Sequence, residues 1–113
     1  MPETLKTISA SELKSALEGE HPPVLINALP RDAHEARHIP GSISVPVENA
    51  EQVEDIVPNK DEPIVVYCAN ADCDASPTAA QALEERGYTN VIDFEAGYAG
   101  WRQAGYSLVG ADA

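Results

Sequence analysis

Apolar positions in this chain fall in short runs separated by amphipathic stretches, and the two patterns alternate along its length. Ser9-Ala10-Ser11-Glu12 has the spacing of a capping box, in which the serine hydroxyl accepts an amide three residues on while the glutamate reaches back. Leu13, Ala16 and Leu17 then share one face of a first helix that should end near Gly19. Val24-Leu25-Ile26, held between Pro23 and Asn27, reads as a buried strand of the kind found in parallel sheets. A short helix over Pro30 to Arg37 and a weaker strand at Ile43-Ser44-Val45 follow. Pro63 to Tyr67 is the strongest strand, being rich in β-branched and aromatic residues, and it delivers Cys68 at its C-terminal end. Ser76-Pro77 has the form of an N-cap followed by proline at the first helical position, with Ala79, Ala80 and Leu83 as the apolar face and Gly87 as the stop. Val91 to Phe94 is a further strand, and a short helix around Tyr98 to Gln103 closes the pattern. Strands alternating with helices predict an α/β protein whose parallel sheet is covered by helices on both faces.

Charge changes the picture more than length does. The 113 residues suit one domain, and 43% hydrophobic with 23% charged residues is a globular balance. Nineteen acidic residues against seven basic ones give a formal net charge of -12. Such a field disfavours nucleic acid and anionic membranes as partners and slows the approach of small anions. It serves solubility or, since only three of the basic residues are Lys, tolerance of high salt. The stretch Glu48 to Glu62, with its many acids and Pro58, reads as a solvated face, and Gly110 to Ala113 as a frayed tail. Met1 to Lys6 has no secretory pattern and no apolar run reaches the ~20 residues that span a bilayer, so a cytoplasmic location is expected.

The candidate chemistry lies after the strongest strand. Ligands of open α/β sheets bind beyond the carboxyl ends of strands, where Cys68 sits a few residues before a helix. Ala69, Asn70, Ala71, Asp72, Cys73, Asp74 and Ala75 are mostly small, which lets backbone N–H groups turn toward the sulfur and, with the helix dipole, favour a thiolate. Asp72 and Asp74 oppose this. A carboxylate ~7 Å away at an effective dielectric of ~40 disfavours the thiolate by about 1 kcal/mol. The helix terminus offers ~0.3 to 2 kcal/mol in the other direction. On spacing alone Cys68 is equally well a nucleophile or a small apolar residue finishing its strand.

Several blocks taken in order carry a family resemblance. They are Leu25-Ile26-Asn27 with Arg31-Asp32-Ala33-His34-Glu35, His38-Ile39-Pro40-Gly41-Ser42-Ile43, Ile64 to Cys68, Ala79 to Leu83 with Arg86 to Val91, and Glu95 to Trp101. Together, from Val24 to Leu108, they resemble the rhodanese-like sulfurtransferase domain. The resemblance implies a single domain over residues 1–113, with its core at about 6–108 and a central parallel five-stranded sheet. It also implies a sulfurtransferase in which the Cys68 thiolate takes a sulfane sulfur, holds it as a persulfide and passes it to a thiol or cyanide-type acceptor or a protein sulfur carrier. The loop from Ala69 to Ser76 would be the substrate cradle, its amides holding the negative charge.

The sequence departs from that family in three respects. Ser76 comes eight positions after Cys68, an enlargement of the usual loop by about two residues, and no Arg or Lys stands in that loop. A dianionic donor such as thiosulfate is therefore disfavoured against a persulfide or polysulfide, and a phosphatase, which needs an arginine there, is disfavoured too. Asn27 and Leu29 occupy positions where Asp and Arg are common, which predicts a less preorganised loop. Cys73 can reach Cys68 across a curled loop as a resolving cysteine. His21, His34 and His38 with the two cysteines make no zinc spacing, so neither metal nor cofactor is expected. Tyr98 and Trp101 read as packing groups. The rival function is a catalytically weak rhodanese-like module that binds a protein partner or senses oxidants through its two thiols.

Overall fold

The computed structural model describes residues 6–113; the N-terminal pattern read from Met1 to Leu5 lies outside them. Five strands, β1 (Lys6–Thr7), β2 (Val24–Asn27), β3 (Ile43–Ser44), β4 (Ile64–Tyr67) and β5 (Val91–Phe94), form one sheet in the order β1-β5-β4-β2-β3. Every pairing is parallel. The helices are α1 (Ala10–Leu17), α2 (Arg31–Ala36), α3 (Val53–Ile56), α4 (Ala75–Glu85) and α5 (Gly97–Gln103).

Strand alternation divides the core between the two faces of the sheet. Ile26, Ile64, Val66 and Val91 pack with Ala79, Ala80 and Leu83 of α4 on one side, while Leu25, Val65, Tyr67 and Phe94 meet Leu13 and Trp101 on the other. The α/β architecture with helices on both faces is thus the one the alternating pattern predicts. β4 lies at the centre, hydrogen-bonded to β5 and β2, and all four of its residues are buried.

Local chemistry sets most element ends. The capping box of α1 is present in both directions, with Glu12 N donating to Ser9 Oγ and Ser9 N to Glu12 Oε1, each at 3.1 Å. Gly87 ends α4 at φ +99°, a left-handed conformation that a side chain would disfavour. β1 has only two residues and no apolar pattern; it exists because β5 offers it an open edge.

Three expectations change. The acidic stretch carries a 3₁₀ turn over Val47–Gln52 followed by α3, and it buries Ala50, Val53 and Val57 under α4, so these three belong to the core while Ile56 stays exposed. Its acids remain outside, where Glu54 meets Lys60 at 2.7 Å and Arg86 at 2.9 Å. The terminal segment Gly110 to Ala113, expected to fray, is tied to the end of α2: Ala111 N donates to Glu35 O at 2.9 Å and Asp112 N to Ala36 O at 2.7 Å. Those carbonyls have no partner inside so short a helix, and the tail supplies one. Finally, α4 starts two residues earlier than Ser76-Pro77 suggests, with Asp74 at its N-cap. Pro77 is then the third helical residue, still within the first turn where no intrahelical amide is needed.

Candidate active site

Cys68 follows β4 directly and is 1% exposed. Its backbone is fixed from above: Tyr98 N donates to Cys68 O and Ala99 N to Ala69 O, both at 3.0 Å. These amides belong to the first turn of α5, which is drawn onto the loop because Gly97 sits against it without a side chain. A Cβ at Gly97 would fall 2.6 Å from Cys68 O, Ala69 C and Asn70 N, and the residue has φ +66°. The loop then turns on Asn70, whose Oδ1 accepts from Asp72 N at 3.0 Å and whose carbonyl accepts from Cys73 N at 3.2 Å.

This turn curls Cys73 back over Cys68. The two sulfurs are in bonding contact, paired as a disulfide, and the Cα atoms are 6.4 Å apart, inside the range that such a bond spans. The Cys73 carbonyl lies 3.5 Å from Cys68 Sγ. Among the hydrogen bonds of the described residues, no backbone N–H donates to that sulfur; the amides of Asp72 and Cys73 are engaged with Asn70 instead. The expected ring of inward amides is therefore not formed while the cysteines are paired. Asn70, Ala71, Asp72 and Asp74 are exposed, Ala69 and Ala75 half-buried.

Ser76 is buried at 1% exposure, inside α4. Its hydroxyl donates to Asp93 Oδ1 at 2.7 Å. Asp93, at 3% exposure, is a residue that the sequence reading passed over as part of a strand. The signal was present: Val91 and Asp93 alternate onto one face, and a carboxylate in a buried strand position requires a partner. Burial raises the Asp93 carboxyl above the ordinary aspartate value, the Ser76 hydrogen bond lowers it part of the way, and Glu95 adds to the rise. A cavity of about 100 Å³ adjoins it, lined by Ala71, Cys73, Asp74, Ser76, Asp93 and Glu95 among others. A larger groove of about 450 Å³, between Lys14, Leu17, Trp101 and Tyr106, lies on the other face of the sheet and includes neither cysteine.

Neighbouring loops also brace this edge. Asn27 is fully buried; its Oδ1 accepts from Leu29 N at 3.0 Å and its Nδ2 lies 3.0 Å from His34 Nδ1. The asparagine that replaces the common aspartate thus orders the turn after β2 with its own two contacts. His34 stacks on His38 at 3.9 Å between ring centroids, and burial together with His38 lowers its basicity. Trp101 is buried and its Nε1 donates to Ser107 O at 3.0 Å, a packing role, while Tyr98 carries the Arg37 guanidinium 6.0 Å from its ring centre.

The chain is similar to known proteins over most of its length. An HTH-type transcriptional regulator of Mycobacterium tuberculosis is 33% identical over 82 residues, which are 72% of this chain and 35% of that protein; the chain therefore spans about a third of the regulator. A solution structure of a rhodanese-like domain from Anabaena sp. superposes with a TM-score of 0.84 at 25% identity, covering 96% of this chain and 82% of that one. A thiosulfate sulfurtransferase from Pseudomonas aeruginosa gives a TM-score of 0.81 at 25% identity, covering 94% of this chain and 20% of the other. The family described as "Rhodanese-like domain" matches residues 9–104, from the capping box of α1 to the end of α5. A five-stranded parallel sheet with a cysteine at the carboxyl end of its central strand, and a family match that spans both of its faces, place this chain in the rhodanese-like domain family.

Proposed function

We propose that this domain is a sulfurtransferase in which Cys68 carries a sulfane sulfur as a persulfide and Cys73 resolves it. The observation that carries the reading is the position of Cys68, buried at the end of β4 beside the start of α4 and in contact with a second sulfur. In the transfer half-reaction the Cys68 thiolate attacks the outer sulfur of a donor, the donor's remaining group leaves with the electron pair, and a nucleophilic acceptor later removes that sulfur. Opening of the Cys68–Cys73 contact frees the loop Ala69 to Ser76 to surround the terminal sulfur with its amides. The loop holds Asp72 and Asp74 and no cation of its own, and the whole chain carries -12, which favours a persulfide or polysulfide over thiosulfate as donor.

A second reading is thiol redox sensing within a longer protein. The sulfur contact favours it, as does kinship with a protein named as a transcriptional regulator. Mass spectrometry after incubation of the reduced protein with polysulfide, a low-molecular-weight persulfide and thiosulfate separates the two. Sulfur transfer expects a gain of one sulfur in wild type and none in Cys68→Ser, fastest with the persulfide or polysulfide. No gain with any donor, together with rapid Cys68–Cys73 disulfide formation on mild oxidation, removes the transferase reading and leaves the sensor.

A further inference from the structure

We propose that Asp93 is the proton acceptor for Cys73 when that thiol attacks Cys68, and that it hands the proton on to the departing sulfur. The inference deepens the sulfur-transfer reading and rests on Cys73 being the resolving thiol. Its geometry begins in β5, where Asp93 pairs in register with Val66 of β4 and Thr7 of β1, neighbours that carry no charge. The carboxylate is held at the first turn of α4 by the 2.7 Å bond from Ser76. The cavity of about 100 Å³ that Asp93 lines is also lined by Cys73. Such a space has room for more than one water, and a water between two polar groups is a competent path for a proton.

The groups facing this cavity are Ser76 from α4, Cys73 and Asp74 from the loop, and Glu95 after β5. None is a cation, and among the described residues the carboxylate pairs with the Ser76 hydroxyl alone. A carboxyl displaced upward, toward the range of a thiol, is a better base for that thiol than an ordinary aspartate. The step balances without an outside oxidant. Asp93 takes the Cys73 proton, Cys73 sulfur bonds to Cys68 Sγ, the bond from Sγ to the outer sulfur breaks, and the outer sulfur leaves with that electron pair and the proton as hydrosulfide. The outer sulfur is reduced while the two cysteines become a disulfide, which a dithiol reductant then reopens.

Dithiodipyridine, a neutral aromatic disulfide, tests the step without a persulfide. One cysteine of the reduced full chain forms a mixed disulfide and releases thiopyridone, and attack by the other cysteine then releases a second. Cys73→Ser, limited to the first release, marks that phase. We expect Asp93→Asn to slow the second release by about tenfold or more and to leave only the rise with pH that ionisation of the thiol itself gives, without the earlier rise that wild type shows above the ordinary aspartate value. Ser76→Ala, which removes the bond that lowers the carboxyl, should move the midpoint of that rise to higher pH. If both variants keep the wild-type rate and pH profile in the second phase, Asp93 has no part in the proton transfer. Should Asp93→Asn fail to fold, the pH midpoint of Ser76→Ala decides alone. A wild type that gains no sulfur by mass spectrometry, yet shows the Asp93-dependent second phase, would remove the sulfur transfer and retain this role.

Discussion

Tyr67 ends the central strand with a hydroxyl that is shut away from water. It donates or accepts at Ser42 Oγ at 2.7 Å and accepts from Ile39 N at 3.0 Å, tying the segment before β3 to β4. Burial pushes its phenol up to about 12, with those hydrogen bonds pulling the other way. An acid whose value is raised on folding contributes stability that is complete below its unfolded value, near 10, and is lost as pH rises toward the folded value. We therefore expect wild type to lose more stability than Tyr67→Phe between pH 10 and 12, by up to about 3 kcal/mol, in urea titrations followed by circular dichroism. At pH 7 the same variant leaves the Ile39 amide without its partner, which should lower stability by about 1 to 3 kcal/mol. An unchanged urea midpoint at pH 7 would mean that water reaches that amide. None of this was readable from the chain, where Tyr67 is only the aromatic end of an apolar run. Cys68 was readable because its position depends on one strand and the helix after it, both local patterns. For Asp93 the strand alternation signals a buried carboxylate but not its partner, because Ser76 is seventeen residues away and meets it only when α4 packs over β5.

The elements show where local pattern suffices and where it fails. The strands β2, β4 and β5 and the helices α1, α4 and α5 follow from apolar period, caps and glycine stops. The start of α4 does not, because Ser76 is a good cap in isolation but gives its hydroxyl to Asp93, leaving Asp74 to cap the helix without a side-chain bond. α5 has a function its sequence does not announce: the amides of its second and third residues, Tyr98 and Ala99, hold the backbone of Cys68 and Ala69. Gly97 makes this approach possible. Gly97→Ala should both force a Cβ into the backbone of the cysteine loop and oppose φ +66°, lowering stability by about 2 kcal/mol or more. It should also slow thiol modification or sulfur loading at Cys68, measured alongside Gly19→Ala, whose Cβ would come no closer than 3.4 Å to Ala16 O, as a control. Wild-type stability and Cys68 reactivity in Gly97→Ala would show that the loop can move away at little cost.

At the scale of the whole molecule, the charge of -12 acts on a body measuring 35 × 28 × 25 Å. At 0.01 M salt the screening length is ~30 Å, comparable with that body, and at 1 M it is ~3 Å. Self-repulsion should thus be felt across the molecule at low salt and vanish at high salt. We expect the thermal midpoint to rise by about 5 °C or more from 0.01 to 1 M sodium chloride, which corresponds to roughly 1 kcal/mol for a chain of this size. A flat or falling midpoint would mean that the ion pairs of the described residues, Lys14–Glu18, Lys60–Glu54 and Arg86–Glu54, weakened by screening, outweigh the repulsion. The sequence by itself determined the charge, the α/β alternation, the parallel sheet and the cysteine at the end of its strongest strand, because each depends on composition or on periods spanning a few residues. Only the tertiary structure decided that the acidic stretch gives Val53 and Val57 to the core, that the terminal segment closes α2, and that Cys73 and Asp93 share one cavity. Those outcomes depend on which surfaces meet after the sheet has assembled, and no local spacing along the chain encodes that meeting.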